Sequence, residues 1–139
     1  MPTIPDGQYL IKNPDSGQYI DLAGGSTDPN TPVIAMELTK SPSQQWQVTT
    51  LNGVNEFFLK SSAGDVFVNL SMLRIYPPRI AVLPNPIPWS IEPVGDGIFR
   101  IHFPYQDGVI TVLDGAPGSQ LLSLPWSGEP GQIWTFEAS

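Results

Sequence analysis

Gln44-Gln45-Trp46-Gln47-Val48 returns in altered form as Ile87-Pro88-Trp89-Ser90-Ile91 and again as Gln132-Ile133-Trp134-Thr135-Phe136. In each, a tryptophan precedes a polar and then an apolar residue, and the tryptophans stand 43 and 45 residues apart. Two of the three carry Gln two places earlier, and the middle one has Ile87 there. Such spacing marks an internal repeat. A unit of this size cannot bury its own apolar face, so three must close together. The tryptophans themselves are expected in the core.

Three further landmarks recur around them. A Gly-containing turn leads into an apolar strand at Asp6-Gly7-Gln8-Tyr9-Leu10-Ile11-Lys12, at Asn52-Gly53-Val54-Asn55-Glu56-Phe57-Phe58-Leu59-Lys60 and at Asp96-Gly97-Ile98-Phe99-Arg100-Ile101-His102. Asn-Gly and Asp-Gly favour tight turns because both residues tolerate positive φ. A second turn precedes Tyr19-Ile20-Asp21-Leu22, Val66-Phe67-Val68-Asn69-Leu70 and Val109-Ile110-Thr111-Val112-Leu113. An apolar run then leads to each tryptophan: Pro32-Val33-Ile34-Ala35-Met36, Arg79-Ile80-Ala81-Val82-Leu83 and Gln120-Leu121-Leu122-Ser123-Leu124. The pattern predicts an all-β chain of three pseudo-repeats, at approximately 6–51, 52–94 and 95–139, with about four strands each. No stripe at helical period stands out, and the 139 residues are expected to form a single domain.

Composition narrows the function. With 13 acidic and 6 basic residues the net charge is −7, which repels phosphate backbones and anionic lipid, so neither nucleic acid nor membrane insertion is expected. The start, Met1-Pro2-Thr3-Ile4-Pro5, lacks the basic and apolar segments of a signal peptide, and there is no Cys; a cytoplasmic location is the expectation. His102 is the only histidine, on the Arg100 face of its strand, so triads and multi-histidine metal sites have no second imidazole. No acidic pair forms a recognisable glycosidase constellation. A binding protein without cofactor or metal is expected, rather than an enzyme.

Three copies with Gln-x-Trp near their ends resemble the β-trefoil of ricin-B-type lectins. Tyr19-Ile20-Asp21-Leu22-Ala23-Gly24-Gly25-Ser26, Asn30-Thr31-Pro32-Val33-Ile34 and Gln44-Gln45-Trp46 are especially similar to the fungal (mushroom) members. The resemblance implies three copies about a pseudo-threefold axis, six strands closing a barrel and six capping it. It also implies a lectin for galactose- or N-acetylgalactosamine-terminated glycans of glycoproteins or glycolipids, acting in defence against feeding animals.

In that family a carboxylate accepts hydrogen bonds from neighbouring sugar hydroxyls, a glycine amide donates one, and an aromatic covers the apolar face of the ring. Carried over, Asp21 takes the acidic position, Gly24 the backbone donor, Met36 the stacking position, Ser43 the usual Asn and Gln44 its neighbouring Gln. The departures are Met36 for an aromatic, Ile34 for a frequent Gln and Ser43 for an Asn. A thioether still packs on a sugar face, and Glu37 and Thr39 add hydrogen-bonding groups nearby. The position matching Asp21 is Val68 or Asn69 in the second copy and Thr111 in the third, so one live site per chain is expected, with Asp21 facing outward. One shallow site binds a monosaccharide at about millimolar strength. Useful avidity then calls for linked sites, and a homodimer is the simplest way to supply them.

Trp126, in a loop bounded by Pro125 and Gly128, is available to stack on a sugar or to pack. Proline-shaped loops also admit a rival reading, a protease inhibitor of the same fold. Ser26-Thr27-Asp28-Pro29-Asn30, Tyr76-Pro77-Pro78-Arg79 and Pro84-Asn85-Pro86-Ile87-Pro88 are its candidate loops. Lys40, Arg74 and Arg79 are its candidate specificity residues for trypsin-like targets, and Gly24-Gly25 its candidate wedge for cysteine proteases.

Overall fold

Trp46, Trp89 and Trp134 are completely buried, and each indole donates its N–H to a main-chain carbonyl: Trp46 Nε1 to Ile20 O at 3.0 Å, Trp89 Nε1 to Val68 O at 2.9 Å and Trp134 Nε1 to Ile110 O at 3.0 Å. The computed structural model containing these contacts describes residues 4–51, 55–113 and 115–139. The expected Asn52-Gly53-Val54 turn and the opening Met1-Pro2-Thr3 lie outside the described residues.

The strands are β1 (Gly7–Lys12), β2 (Tyr19–Leu22), β3 (Val33–Met36), β4 (Trp46–Thr50), β5 (Glu56–Ser61), β6 (Phe67–Leu70) and β7 (Ile80–Leu83), followed by β8 (Trp89–Gly95), β9 (Ile98–His102), β10 (Val109–Thr111), β11 (Ser119–Gln120), β12 (Leu122–Leu124) and β13 (Thr135–Ala138). Within each copy the tryptophan pairs with an aromatic of the first strand: Trp46 with Tyr9, Trp89 with Phe57 and Trp134 with Phe99. Between copies β4 pairs with β5, β8 with β9 and β13 with β1. These pairings join six strands into a closed ring, which leaves no free edge in the barrel.

The hairpins β2–β3, β6–β7 and β10–β12 form the cap and are stitched to one another. β11 pairs with β3, while Pro32 bridges to Ala81 and Arg79 to Leu122. Val33, Ile80 and Leu121, one from each hairpin, are completely buried. The run Gln120 to Leu124, read as one strand, is divided at Leu121: its start belongs to β3 of the first copy and its end to β10 of its own. This β-trefoil is the expected fold, with thirteen strands among the described residues.

The local chemistry follows the pattern. Gly97, at φ 71°, turns β8 into β9 as the Asp-Gly signal predicts. In β9, Ile101 is buried while Arg100 and His102 lie half-buried, and Arg100 Nε meets Glu92 Oε1 at 2.7 Å. No helix among the described residues is long and apolar enough to cross a membrane.

Replacing Trp89 by Phe leaves the Val68 carbonyl unpaired and opens a cavity, which together cost about 2–4 kcal/mol. Urea unfolding of Trp89→Phe checks this; a loss under about 1 kcal/mol means the indole hydrogen bond does not hold the hairpin to the barrel.

Candidate functional site

The three indole acceptors settle which residues are equivalent. Asp21 follows Ile20, Asn69 follows Val68 and Thr111 follows Ile110, so Asn69, not Val68, is the counterpart of Asp21. The strand pairings agree, setting Asp21 opposite Ile34, Asn69 opposite Ala81 and Thr111 opposite Leu122.

Gln44 organises the first-repeat site. It closes a 3-10 turn, Pro42–Gln44, that starts on a proline, and its side chain is completely buried. Its Nε2 donates to Asp21 Oδ2 at 3.0 Å and to Glu37 O at 2.6 Å. Its Oε1 accepts from the amides of Thr39 at 2.8 Å and Lys40 at 3.1 Å. A buried amide needs all such partners, so this bracket fixes the loop over residues 37–40 against strand β2. Lys40 is held at φ 58°, unusual for a side chain with a Cβ.

Asp21 does not face outward as expected. It is 7% exposed, because Gln44 draws it under the loop. Oδ2 is occupied by Gln44, while Oδ1 has no hydrogen bond among the described residues and is not among the atoms buried without a partner. One carboxylate edge therefore remains open. Asp21 does not order the Gly24-Gly25 turn, which is closed by its own backbone through Ser26 N to Ala23 O at 3.2 Å and Ala23 N to Pro32 O at 3.0 Å. Gly24 turns there at φ 61°.

The seven expected site residues are divided. Gly24 and Ser43 line a cleft of about 610 Å³ together with Gly25, Ser41, Pro42, Ser62 and Ala63, the last two from the turn after β5. Asp21, Met36, Glu37, Thr39 and Gln44 do not line it. Met36 is half-buried opposite Tyr19, and Glu37 and Thr39 are exposed. The hydroxyls of Thr39, Ser41 and Ser43 bond in series, at 2.8 Å and 2.9 Å. Thr39 and Ser43 thus spend part of their hydrogen-bonding capacity on this chain.

The second copy has lost the bracket. Five residues separate Leu83 from Trp89, against nine between Met36 and Trp46, and no 3-10 turn with a glutamine fits in that length.

The third copy keeps it. Gln132 is 2% exposed; its Nε2 donates to Pro125 O at 2.9 Å and to Thr111 Oγ1 at 3.3 Å, while its Oε1 accepts from Ser127 N at 2.8 Å. Here Thr111, Leu124, Pro125, Ser127, Gly131 and Gln132 all line one cleft of about 450 Å³. They are the counterparts of Asp21, Met36, Glu37, Thr39, Ser43 and Gln44. The opposite wall includes Asn13, Asp15 and Ser16 of the first repeat. Gly131 is required, since a Cβ there would fall 2.2 Å from Val112 O.

Sequence reading passed over this cleft because Thr111 carries no acid. Among the described residues, the carboxylates in its wall are instead Asp15 and Glu129. A signal was present: Glu129-Pro130-Gly131-Gln132 stands where the first copy has Ser41-Pro42-Ser43-Gln44. Trp126 is half-buried and packs with the Arg100 guanidinium 5.1 Å from its ring centroid. Among the described residues no three His, Cys, Asp or Glu side chains are grouped to hold a metal ion.

Gln44→Glu sets a second carboxylate against Asp21 and removes the donor that Asp21 Oδ2 and Glu37 O share. Two carboxylates in contact repel when both are ionised and cease to when one is protonated, so the penalty is greatest at neutral pH and shrinks as pH falls through the carboxylate range. Denaturation midpoints at pH 7 and pH 4 test this: the loss relative to the parent chain is expected to be larger at pH 7, and an equal loss at both contradicts it.

The whole chain superimposes on solved β-trefoils. The Rhizoctonia solani agglutinin matches at a TM-score of 0.90 with 18% identity, covering 99% of this chain and 98% of that one. The Macrolepiota procera ricin B-like lectin in complex with lactose matches at 0.83 with 22% identity, covering 99% of each. The C-half of an earthworm R-type lectin in complex with GalNAc matches at 0.74 with 20% identity, covering 96% of this chain and 99% of that one. At such identities the likeness establishes the fold. Residues 2–72 match the sequence model described as "Ricin-type beta-trefoil lectin domain-like". Spanning half of the chain, that match carries the first-repeat bracket from Asp21 to Gln44, and the chain belongs to the ricin-type β-trefoil lectin domain-like family.

Proposed function

We propose that the protein is a lectin for galactose- or N-acetylgalactosamine-terminated glycans, with a site in the first repeat. The observation that carries this reading is the fixed carboxylate of Asp21: Gln44 holds one oxygen, and the other has no hydrogen bond among the described residues. An acceptor oriented in advance binds sugar hydroxyls at a lower ordering cost than a mobile one. Gly24 and Ser43 line a cleft of the same repeat, and this reading adds Met36, Glu37 and Thr39, which lie outside that cleft's lining. Two structural neighbours, crystallised with lactose and with GalNAc, support the choice of sugar. The protein acts without catalysis, and a cytoplasmic homodimer supplies the avidity that one shallow site lacks.

A second reading rests on a different segment. Met72, Leu73, Ile75 and Tyr76 are 66%, 58%, 47% and 80% exposed, with Arg74 exposed among them. The loop is pinned at its neck by Ser71 N to Arg79 O at 2.7 Å and by Met72 N to Asn30 Oδ1 at 2.8 Å. A pinned, protruding Arg between apolar residues is the shape a protease inhibitor presents to an enzyme with an acidic specificity pocket.

Asp21→Asn is expected to weaken binding of lactose and N-acetylgalactosamine about tenfold or more, as measured by calorimetry with near-UV circular dichroism as the folding control. Undiminished binding places the site elsewhere. Titration of trypsin distinguishes the second reading: stoichiometric inhibition lost in Arg74→Asp supports it, and full trypsin activity at excess protein removes it.

A further inference from the structure

We propose that the loop joining β6 to β7 is the contact through which two copies of this chain pair about a two-fold axis. The inference rests on the homodimer of the proposed lectin and names its surface; it does not depend on which repeat binds the sugar.

The loop gathers what the rest of the surface holds only singly. Met72, Leu73, Ile75 and Tyr76 supply four of the seven large apolar side chains exposed among the described residues. Scattered exposed apolar residues are ordinary, whereas four within five positions form a patch that gains by being covered. Met, Tyr and Arg are also the residue types enriched in protein contacts. The loop is held so as to present them: besides the bonds at its neck from Ser71 N and Met72 N, Leu73 N donates to Ser71 Oγ at 3.1 Å. A contact ordered in advance loses less freedom on docking.

Charge selects a second copy as the occupant. The chain carries −7, so two copies repel over most of their surface. This loop is the exception, since no Asp or Glu stands between Asp65 and Glu92 and both Arg74 and Arg79 fall in that stretch. Neither arginine forms an ion pair among the described residues. The acid that each copy offers is Asp28, exposed and likewise outside both ion pairs. Its turn touches the loop, because Asn30, two residues on, accepts from Met72 N through Oδ1 at 2.8 Å. Loop and turn are therefore self-complementary, with an apolar patch, a cation and an anion side by side. An isologous contact uses each surface twice, so Arg74 of one copy meets Asp28 of the other and the reverse, with the apolar side chains closed between the two ion pairs. One loop and one turn are small beside the about 800 Å² that each partner of a standard interface buries. The dimer is accordingly weak, with a dissociation constant on the order of ten micromolar.

The test is sedimentation velocity of the full chain across a concentration series, in which the dimer is expected to grow with concentration. Arg74→Asp and Asp28→Arg are each expected to weaken it about tenfold or more, since each sets like charges face to face. Mixing the two variants is expected to restore it: the native pair forms across one contact, and the two substituted positions attract across the other. An ion pair within one chain is not rescued by mixing. Tyr76→Ser is expected to weaken the dimer as well, and all three positions are exposed, so near-UV circular dichroism is expected to match the parent. By calorimetry Arg74→Asp is expected to bind lactose as the parent does while losing agglutination of glycan-coated beads. Variants that dimerise like the parent leave the homodimer standing and remove this surface from it, and mixtures that stay monomeric overturn the Arg74 to Asp28 contact. A parent chain that is monomeric throughout overturns both the surface and the homodimer; trypsin inhibition by that monomer, or its capture by phosphatidylcholine vesicles, assigns the loop to a protease or to lipid instead. A dimer of the expected kind without lactose binding contradicts the lectin reading alone.

Discussion

A buried indole N–H must find an acceptor, and in this chain that requirement is met three times by the same means. Each tryptophan sits at the start of a barrel strand, Trp134 just ahead of it, and bonds the backbone of the cap hairpin of its own repeat, at Ile20, Val68 and Ile110. The bond locks the register of the hairpin's first strand to the barrel. Because side chains alternate along a strand, the register decides which residue comes next and where it points. Asp21, Asn69 and Thr111 owe their equivalent places to that bond rather than to any likeness among themselves.

The same scaffold then yields three outcomes through its loops. A glutamine two places before the tryptophan gathers the connecting loop into a bracket in the first and third repeats. In the second, the connection is too short to hold one. Between the two brackets the carboxylate changes place: in the first it lies on the strand beneath the loop, and in the third it is carried by the loop and by the neighbouring repeat's turn. Burial under Gln44 restricts Asp21 to one available oxygen, whereas Glu129 and Asp15 stay in solvent.

The fold was legible because its signals are local and repeated. Gln-x-Trp, the Asp-Gly turn at Gly97 and alternating runs such as Ile98 to Phe103 each name a strand or a turn without reference to distant residues. The register of the second copy was not legible, since the shortened loop before Trp89 removes the glutamine that would have anchored the count. The depth of Asp21 was hidden for a related reason: it depends on which way Gln44 turns, and a buried amide turns toward whatever backbone groups the closed barrel leaves unpaired. The third-repeat cleft was hidden because its two walls are more than a hundred residues apart in sequence, and no window of sequence contains both Asp15 and Glu129.

That separation has a consequence for how the molecule fails. The barrel closes where β1 meets β13, and Asn13 fastens the same seam by its bonds to Pro130 and Ile133. A seam between strands so far apart in sequence can open without disturbing the contacts made within one repeat. Partial opening of this seam would part the walls of the third-repeat cleft while the first-repeat bracket, made within Asp21 to Gln44, stayed whole. The two clefts therefore differ in what sustains them: one needs the closed barrel, and the other needs only a stretch of chain within a single repeat.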